Sequence, residues 1–373
     1  MKVAILETVK ASAGFELEFD RIIIEALREA GHEPVMMTPA GTVLDQNFDV
    51  AKYDLSGGSI ISYDGVKGIK KIWYSFLRET RRVKWFDSAA EVAEKEGINA
   101  ILLTTATYRY LRALNKSKLR HSNIPVYFIF LGVNPDEKPK FLKKAKECLP
   151  YKNIHLCVTT LRDDFGSGRP ENVKLIKPPI MIPSDCKPQP TGEALRIGFF
   201  GHYRKGEKNI DWLLNSITGA QFKIPVKFFI QLAPTTEADR QDVEKIVAGW
   251  KNDDRVDFIT HKLLKDDWYN AIQAVDVVYL PYTAERYLYN WSAIYFTAIG
   301  AKKPVLTTRT LNPEVMDKFS IGEYIDTTDP AVFHKQLEDF VNNYQDNKAG
   351  YARELERANR EYGKSAFIHN LLQ

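Results

Sequence analysis

The sequence predicts an α/β fold made of two doubly wound domains that face each other across a cleft. Short β-branched apolar runs alternate with amphipathic stretches of helical period through both halves, the pattern of a parallel sheet covered on both faces. The stretch Lys177–Ala194 (KPPIMIPSDCKPQPTGEA) breaks this alternation with prolines and polar residues. A chain of 373 residues is also long enough for two full cores. We therefore expect Rossmann-like domains over residues 1–180 and 195–347, joined by a linker over 181–194. A C-terminal helical segment, about 348–373, should pack back on the first domain.

The first strand is Val3–Leu6, and a loop containing Gly14 leads into a helix, Glu16 to Ala30, with Leu17, Ile23, Ile24 and Leu27 near one face. Gly31 closes that helix and Pro34–Met37 starts the second strand. This βαβ opening has no GxGxxG, so the dinucleotide fingerprint is absent. Gly14 is suited to a turn or to close approach of a ligand. Ala89–Glu96 reads as helix, Ala100–Leu103 as strand and Tyr108–Leu114 as helix; Val126–Leu131 and Leu156–Thr159 are further strands. The second series has strands at Leu195–Phe200, Val226–Leu232 and Val256–Ile259, and helices at Ile210–Ile217, Ala238–Trp250 and Lys265–Ala274. Helices at about Ala331–Tyr344 and Lys348–Tyr362 close the chain.

Between these lies Asp276–Thr308, DVVYLPYTAERYLYNWSAIYFTAIGAKKPVLTT. Its strand ends at Pro281, which has no N–H for the ladder. A polar loop follows, then a helix over Ser292–Ala301 with Asn290 or Ser292 at its N-cap, and a strand from Val305. In an open parallel sheet such a loop faces the ligand crevice, and the helix start offers N–H groups to an anion.

The formal charge of +4 is unevenly placed, at about +6 up to Lys187 and about −2 beyond it. The excess gathers in Lys67–Lys84 (KGIKKIWYSFLRETRRVK), Lys116–Arg120 and Lys138–Lys146. Basic residues interleaved with Trp73, Tyr74, Phe76 and Trp85 suit an anionic membrane surface or an acidic glycan, and equally a solvated helix whose aromatics face the core. No nucleic-acid-binding motif is present, so nucleic acid is not expected as a partner. Cys148, Cys157 and Cys186 show no metal-like pairing, which together with the absence of a signal-like start fits a cytoplasmic setting, with a peripheral place on the inner membrane face.

On these residues the chain resembles the GT-B glycosyltransferases, in particular the retaining family-4 (glycosyl transferases group 1) enzymes. RIGFFGHYRKGEKNIDWLLNSI is similar to the family's first donor-domain strand, phosphate loop and helix. RVDFITHKLLKDDWYNAIQAVDVVYLPY, AERYLYNWSAIYFTAIGAKKPVLTT and LNPEVMDKFSIGEYIDTTDP resemble the units that follow, the second of them the acidic donor motif. FDRIIIEALREAGHEPVMMT and NVKLIKPPIMIP have counterparts in the first half. The resemblance implies a nucleotide-sugar donor, UDP- or GDP-linked, held without a metal or other cofactor. Gly201 would allow close backbone approach to the diphosphate, with Arg204, Lys205 and Lys208 supplying charge and His202 standing where the family has arginine. Glu285 matches the first of the family's two glutamates, for the donor sugar; Thr297 stands where the second, for the ribose, would lie. Tyr282, Tyr287, Tyr289, Asn290 and Ser292 are further candidates around that pocket.

The family's histidines at the ends of the fourth and fifth strands are missing, since those segments read TTAT and FLG. On the acceptor side Gly14 and Asn134 remain, with Asp136 as the candidate carboxylate for deprotonating an acceptor hydroxyl and Glu7 behind it. In a retaining reaction the leaving diphosphate can itself take that proton. The expected function is transfer of a sugar from a nucleotide-diphosphate donor to a glycan or lipid-linked acceptor, in polysaccharide or glycoconjugate biosynthesis. A sugar-nucleotide epimerase of the same fold, or an inactive sugar-nucleotide-binding subunit, is the alternative.

Overall fold

The computed structural model describes residues 1–8, 14–44, 47–61, 66–189, 192–203 and 210–373. It divides into two units, Met1–Pro178 with Lys364–Gln373, and Pro179–Gly363.

The first unit is built on strands β1 (Lys2–Leu6), β2 (Glu33–Pro39), β3 (Lys52–Leu55), β4 (Ala100–Leu103), β5 (Val126–Phe130), β6 (Ile154–Thr159) and β7 (Val173–Ile176). They form one parallel sheet in the order β3-β2-β1-β4-β5-β6-β7. Val3 pairs with Ala100 on one side and Pro34 on the other, so the order reverses beside β1. Helix α1 (Phe15–Glu29) buries Leu17, Ile23, Ile24 and Leu27, the apolar face expected from its period. The helix Lys364–Leu372 packs on it, with Phe367 edge-on to Phe19 and the buried Lys364 ammonium 2.7 Å from Glu25 and 3.2 Å from Glu29. Trp85, Phe86, Phe128 and Phe141 fill a core that also takes Leu6, Ile101 and Leu103 from the sheet.

Helix α2 runs over Ile69–Lys95, much longer than the Ala89–Glu96 segment that periodicity identifies. Its last turns bury Trp85, Phe86, Ala89 and Ala93. Its first turns bury nothing: Trp73 is 59 % exposed and Phe76 63 %, with Ile69 and Ile72 exposed beside them. The aromatic residues of this basic segment are therefore split, Trp85 turned to the core and Trp73 and Phe76 to solvent. Helices α3 (Tyr110–Leu114) and α4 (Lys138–Glu147) complete the unit's helical layers.

The second unit has strands β8 (Leu195–Phe199), β9 (His202–Tyr203), β10 (Val226–Gln231), β11 (Ala233–Pro234), β12 (Val256–Ile259), β13 (Val277–Leu280), β14 (Val305–Thr307) and β15 (Gly322–Tyr324). Six of them make a parallel sheet, β12-β10-β8-β13-β14-β15, while β9 and β11 form a separate short pair. The order again reverses beside the unit's first strand, between β8 and β13. A part-buried ion pair fixes that junction: Asp276 accepts from the Arg196 backbone N–H at 2.9 Å and from its guanidinium at 3.2 Å. Helices α5 (Ile210–Gly219), α6 (Glu237–Trp250), α7 (Asp266–Gln273), α8 (Ala293–Gly300), α9 (Pro313–Lys318), α10 (Pro330–Asn342) and α11 (Tyr344–Glu361) surround the sheet. Local chemistry sets several starts, as in the Thr236–Asp239 capping box of α6 and the Asp329 N-cap of α10.

Candidate functional site

At the β8–β13 junction two loops leave neighbouring strands from the same edge of the second unit. Gly198 lets the first loop fold back, because a Cβ there would stand 2.4 Å from the Phe200 ring. Gly201 follows with φ 147°, a backbone region that L side chains rarely adopt. Its N–H donates to Gln231 Oε1 at 2.8 Å, and Gln231 Nε2 donates to the His261 carbonyl at 2.8 Å. The buried Gln231 thus ties together the segments that follow β8 and β12. His202 is exposed, and Tyr203 donates its hydroxyl proton to Asp242 on α6. Arg204, Lys205 and Lys208 lie outside the described residues.

The second loop starts at Pro281 and Tyr282. Tyr282 is buried, and its hydroxyl donates to the Phe200 carbonyl at 3.2 Å while its ring leans on Tyr287. It ties the two loops to each other. Burial pushes its pKa up, with Tyr287 adding to the shift and Arg286 opposing it. A 3-10 helix, Glu285–Leu288, then carries the exposed Glu285 carboxylate. The half-buried Asn290 donates its N–H to the Arg286 carbonyl at 2.9 Å.

Helix α8 begins at Ala293 with Ser292 as N-cap, and Ser292 makes no side-chain cap bond. Its backbone N–H instead donates to Asn312 Oδ1 at 2.9 Å, and Asn312 Nδ2 donates to the Tyr287 carbonyl at 3.2 Å. Asn312 is buried and left-handed, with φ 46°. It had no place among the sequence candidates, because asparagine before proline reads as an ordinary turn signal.

Thr297 requires a correction. It is 2 % exposed, and its hydroxyl lies 2.9 Å from the Ala293 carbonyl and 3.0 Å from the Met181 carbonyl. A threonine inside a helix bonds back to the carbonyl one turn earlier, and this one also anchors the segment that lies on α8. The close packing of that segment appears again at Gly300, where a Cβ would stand 2.5 Å from Ile182. The Thr297 hydroxyl is thus turned to these two carbonyls, which is not the presentation that ribose recognition needs.

In the first unit, Gly14 has φ 146° and caps α1 through its carbonyl, which accepts from Glu18 N–H. The Asn134 carbonyl accepts from Glu137 and Lys138 at the start of α4, and Asp136 is exposed in the same loop after β5. The carboxylate at the strand-order reversal is Glu7, 3 % exposed at the end of β1. It accepts from the Thr8 N–H and, at 3.4 Å, from the Thr105 hydroxyl. Asp20 of α1, fully buried, accepts from Thr104 at 2.5 Å, and its pKa is held well above the carboxylate range by burial and then by the charge of Glu7. Sequence reasoning missed Asp20 because an acid in an amphipathic helix reads as a solvated position.

Around α2, α3 and α4 the same unit has an open groove of about 1540 Å³, lined among others by Arg78, Lys84, Arg109, Arg112 and Lys116. Glu147 in that groove is already paired with Lys144 at 2.6 Å, so the lining is strongly cationic. Among the described residues no group of three or more His, Cys, Asp or Glu is placed to hold a metal ion. Nor, among them, is any helix long and apolar enough to cross a membrane.

Residues 194–343 match the family model of glycosyl transferases group 1. No curated protein sequence matches the chain. Among solved structures, Anabaena HepE in complex with UDP is similar with a TM-score of 0.67 at 12 % identity, covering 100 % of this chain and 98 % of that one. HepE has also been solved with UDP-glucose and with UDP and glucose. Sucrose-phosphate synthase from Thermosynechococcus elongatus gives 0.58 at 15 % identity, covering 100 % and 96 %. The lipopolysaccharide outer core galactosyltransferase WaaB gives 0.59 at 13 %, covering 99 % and 98 %.

Proposed function

We propose that this chain, which has the GT-B fold and matches the group 1 model over residues 194–343, is a glycosyltransferase whose second unit holds a nucleoside-diphosphate sugar, UDP- or GDP-linked, for transfer to a glycan or lipid-linked acceptor. The observation that carries this reading is the junction of β8 and β13, where the Gly201 loop and the Glu285 loop leave adjacent strands at a reversal of strand order. In open α/β sheets that is where nucleotides settle.

In this reading backbone near Gly201 approaches the diphosphate, which a side chain at that position would block. Lys208, Arg204 and His202 supply cations and hydrogen bonds, and the α8 start at Ser292 adds the positive end of its dipole. Asn290 borders the same loop, and Glu285 takes the hydroxyls of the sugar. Bond breaking between C1 and the diphosphate oxygen leaves negative charge on the diphosphate. Fixed cations and helix N–H groups stabilise it, the service a metal gives in other transferases. The acceptor oxygen bonds C1, and its proton leaves to the diphosphate or to a carboxylate of the first unit, where Asn134, Asp136 and the Gly14 turn form the acceptor side.

The exposed Ile69, Ile72, Trp73 and Phe76, beside the cationic groove, support a peripheral place on an anionic membrane at the cytoplasmic face. Such a place suits a lipid-linked acceptor in polysaccharide or glycoconjugate biosynthesis.

A thermal-shift screen with UDP, GDP, CDP and TDP tests the donor class. A ligand that binds only the folded protein gives about 2.7 kcal/mol of stabilisation at a hundredfold excess over its Kd. We expect one base to raise the midpoint, and Lys208→Ala to abolish the shift. No shift with any of the four, in folded protein, overturns the reading.

A further inference from the structure

We infer that a pocket at the starts of β5 and β6 binds the phosphate group of a small ligand. The strands run parallel, so this is the opposite edge of the first unit's sheet from Asn134 and Asp136, which follow β5. The inference rests on no part of the donor reading. The pocket is open, with a volume of about 460 Å³, within the range of small-molecule sites. Arg120, His121, Asn123, Tyr151, Lys152 and His155 line it, and among the described residues no aspartate or glutamate does.

The basic run Lys116–Arg120 supplies part of this lining. Its lysines are used elsewhere: Lys116 lines the groove along α2, and Lys118 pairs with Glu91 at 3.3 Å. Arg120 and His121 sit on a 3-10 helix, Lys118–His121, while Tyr151 and Lys152 come from the turn before β6. Asn153 joins the two pieces. Its Nδ2 donates to the Leu119 carbonyl at 3.1 Å, the Ile124 carbonyl at 3.2 Å and the Ser122 hydroxyl at 3.3 Å. Pro125 and Pro150 stiffen the same turns. The walls are therefore set by the fold before a ligand arrives, which lowers the entropy lost on binding.

The chain leaves the donors of this pocket open. Arg120 Nε donates to His121 Nε2 at 3.0 Å, so that nitrogen is the unprotonated one and Nδ1 keeps its proton. The half-buried guanidinium also stands 5.5 Å from the centre of the Tyr151 ring, which His121 meets edge-on. These contacts fix it in place, while its two terminal nitrogens have no hydrogen-bond acceptor among the described residues. Lys152 has Glu171 at 3.8 Å, with the two side chains 85 % and 78 % exposed, a pair that water screens. His155 stacks on Tyr127 with ring centres 4.7 Å apart, and burial and then Lys174 lower its pKa. A planar fork, an ammonium and imidazole N–H groups thus border one space with no carboxylate to neutralise them. A phosphate answers all of these at once, two oxygens on the Arg120 fork and a third on Lys152.

Calorimetric titration of the full chain with inorganic phosphate, glucose 6-phosphate and glucose tests this. The proteins are wild type, Arg120→Ala, Arg120→Lys, Lys152→Ala and Lys208→Ala, each shown to be folded by its unfolding midpoint. We expect a phosphate to bind and glucose not to. Affinity should fall about tenfold or more in Arg120→Ala and about threefold in Lys152→Ala, whose exposed side chain can be removed without loss of fold. Arg120→Lys keeps the charge and loses the fork, so it should lie between the wild type and Arg120→Ala. Lys208→Ala should bind as the wild type does, which separates this pocket from the donor loop. The ring signals of His121 and His155 in NMR spectra should move with the same ligand. Tighter binding of glucose 6-phosphate than of inorganic phosphate supports a phosphomonoester as the ligand, and equal binding supports free phosphate. Folded wild type that binds neither phosphate would overturn the proposal. So would a loss confined to Lys208→Ala, or glucose binding as well as its phosphate. A missing UDP shift would count against the donor reading and leave this one standing.

Discussion

The two units have the same strand order around their first strand, yet their strand ends carry opposite chemistry. At the β8–β13 junction the chain presents glycine backbone, the start of α8 and a loop sequence with Arg204 and Lys208. At the β1–β4 junction it presents two buried carboxyl groups surrounded by threonine hydroxyls. The first set of residues suits a polyanion and the second does not. The fold supplies an edge where ligands can approach, and the first two or three residues after each strand decide which ligand. The first unit differs within itself as well, since its groove along α2 is cationic while its strand ends are acidic.

Substitutions can break this comparison at different depths. The largest effect should come from Gly322→Ala, because a Cβ there would stand 1.8 Å from the Val305 carbonyl oxygen, across the β14–β15 pair. Backbone cannot yield as a side chain can, so we expect a loss of about 3 kcal/mol in urea unfolding. Lys208→Ala should leave stability unchanged and weaken UDP by about 2 kcal/mol, the worth of a charge-assisted hydrogen bond, measured by calorimetry. Combined Arg109→Glu and Arg112→Glu should do the converse. UDP binding should hold, and partitioning into vesicles containing anionic lipid should fall by at least about tenfold, at about 1 kcal/mol per basic residue. That attraction should also weaken with added salt. Thr297→Val should be the mildest, costing about 1 kcal/mol of stability with UDP affinity intact. A selective loss of UDP in that variant would restore Thr297 to the donor site.

Alternating apolar runs and helical periods were enough to read the two-domain α/β plan, and the family resemblance identified the fold as GT-B. What stayed hidden follows from burial. The first turns of α2 could not be read from periodicity because Ile69, Ile72, Trp73 and Phe76 face no core. Strand β3 escaped because only Leu55 of its four residues is buried. Counting back from Pro304 reached Thr297, but counting cannot tell that its hydroxyl is spent on two carbonyls. Asp20 and Asn312 act through partners 84 and 20 residues away, Thr104 and Ser292, and no local pattern encodes such contacts.

The most direct test of the central claim is a titration with UDP and with GDP of the wild type beside Gly201→Val, each shown to be folded by its unfolding midpoint. At φ 147° a β-branched residue is strained, and the loop must move away from the diphosphate. The account predicts measurable binding of one of the two in the wild type and a loss of about tenfold or more in the variant, at least about 1.4 kcal/mol. A folded Gly201→Val that binds that nucleotide as the wild type does would contradict it and place the nucleotide elsewhere.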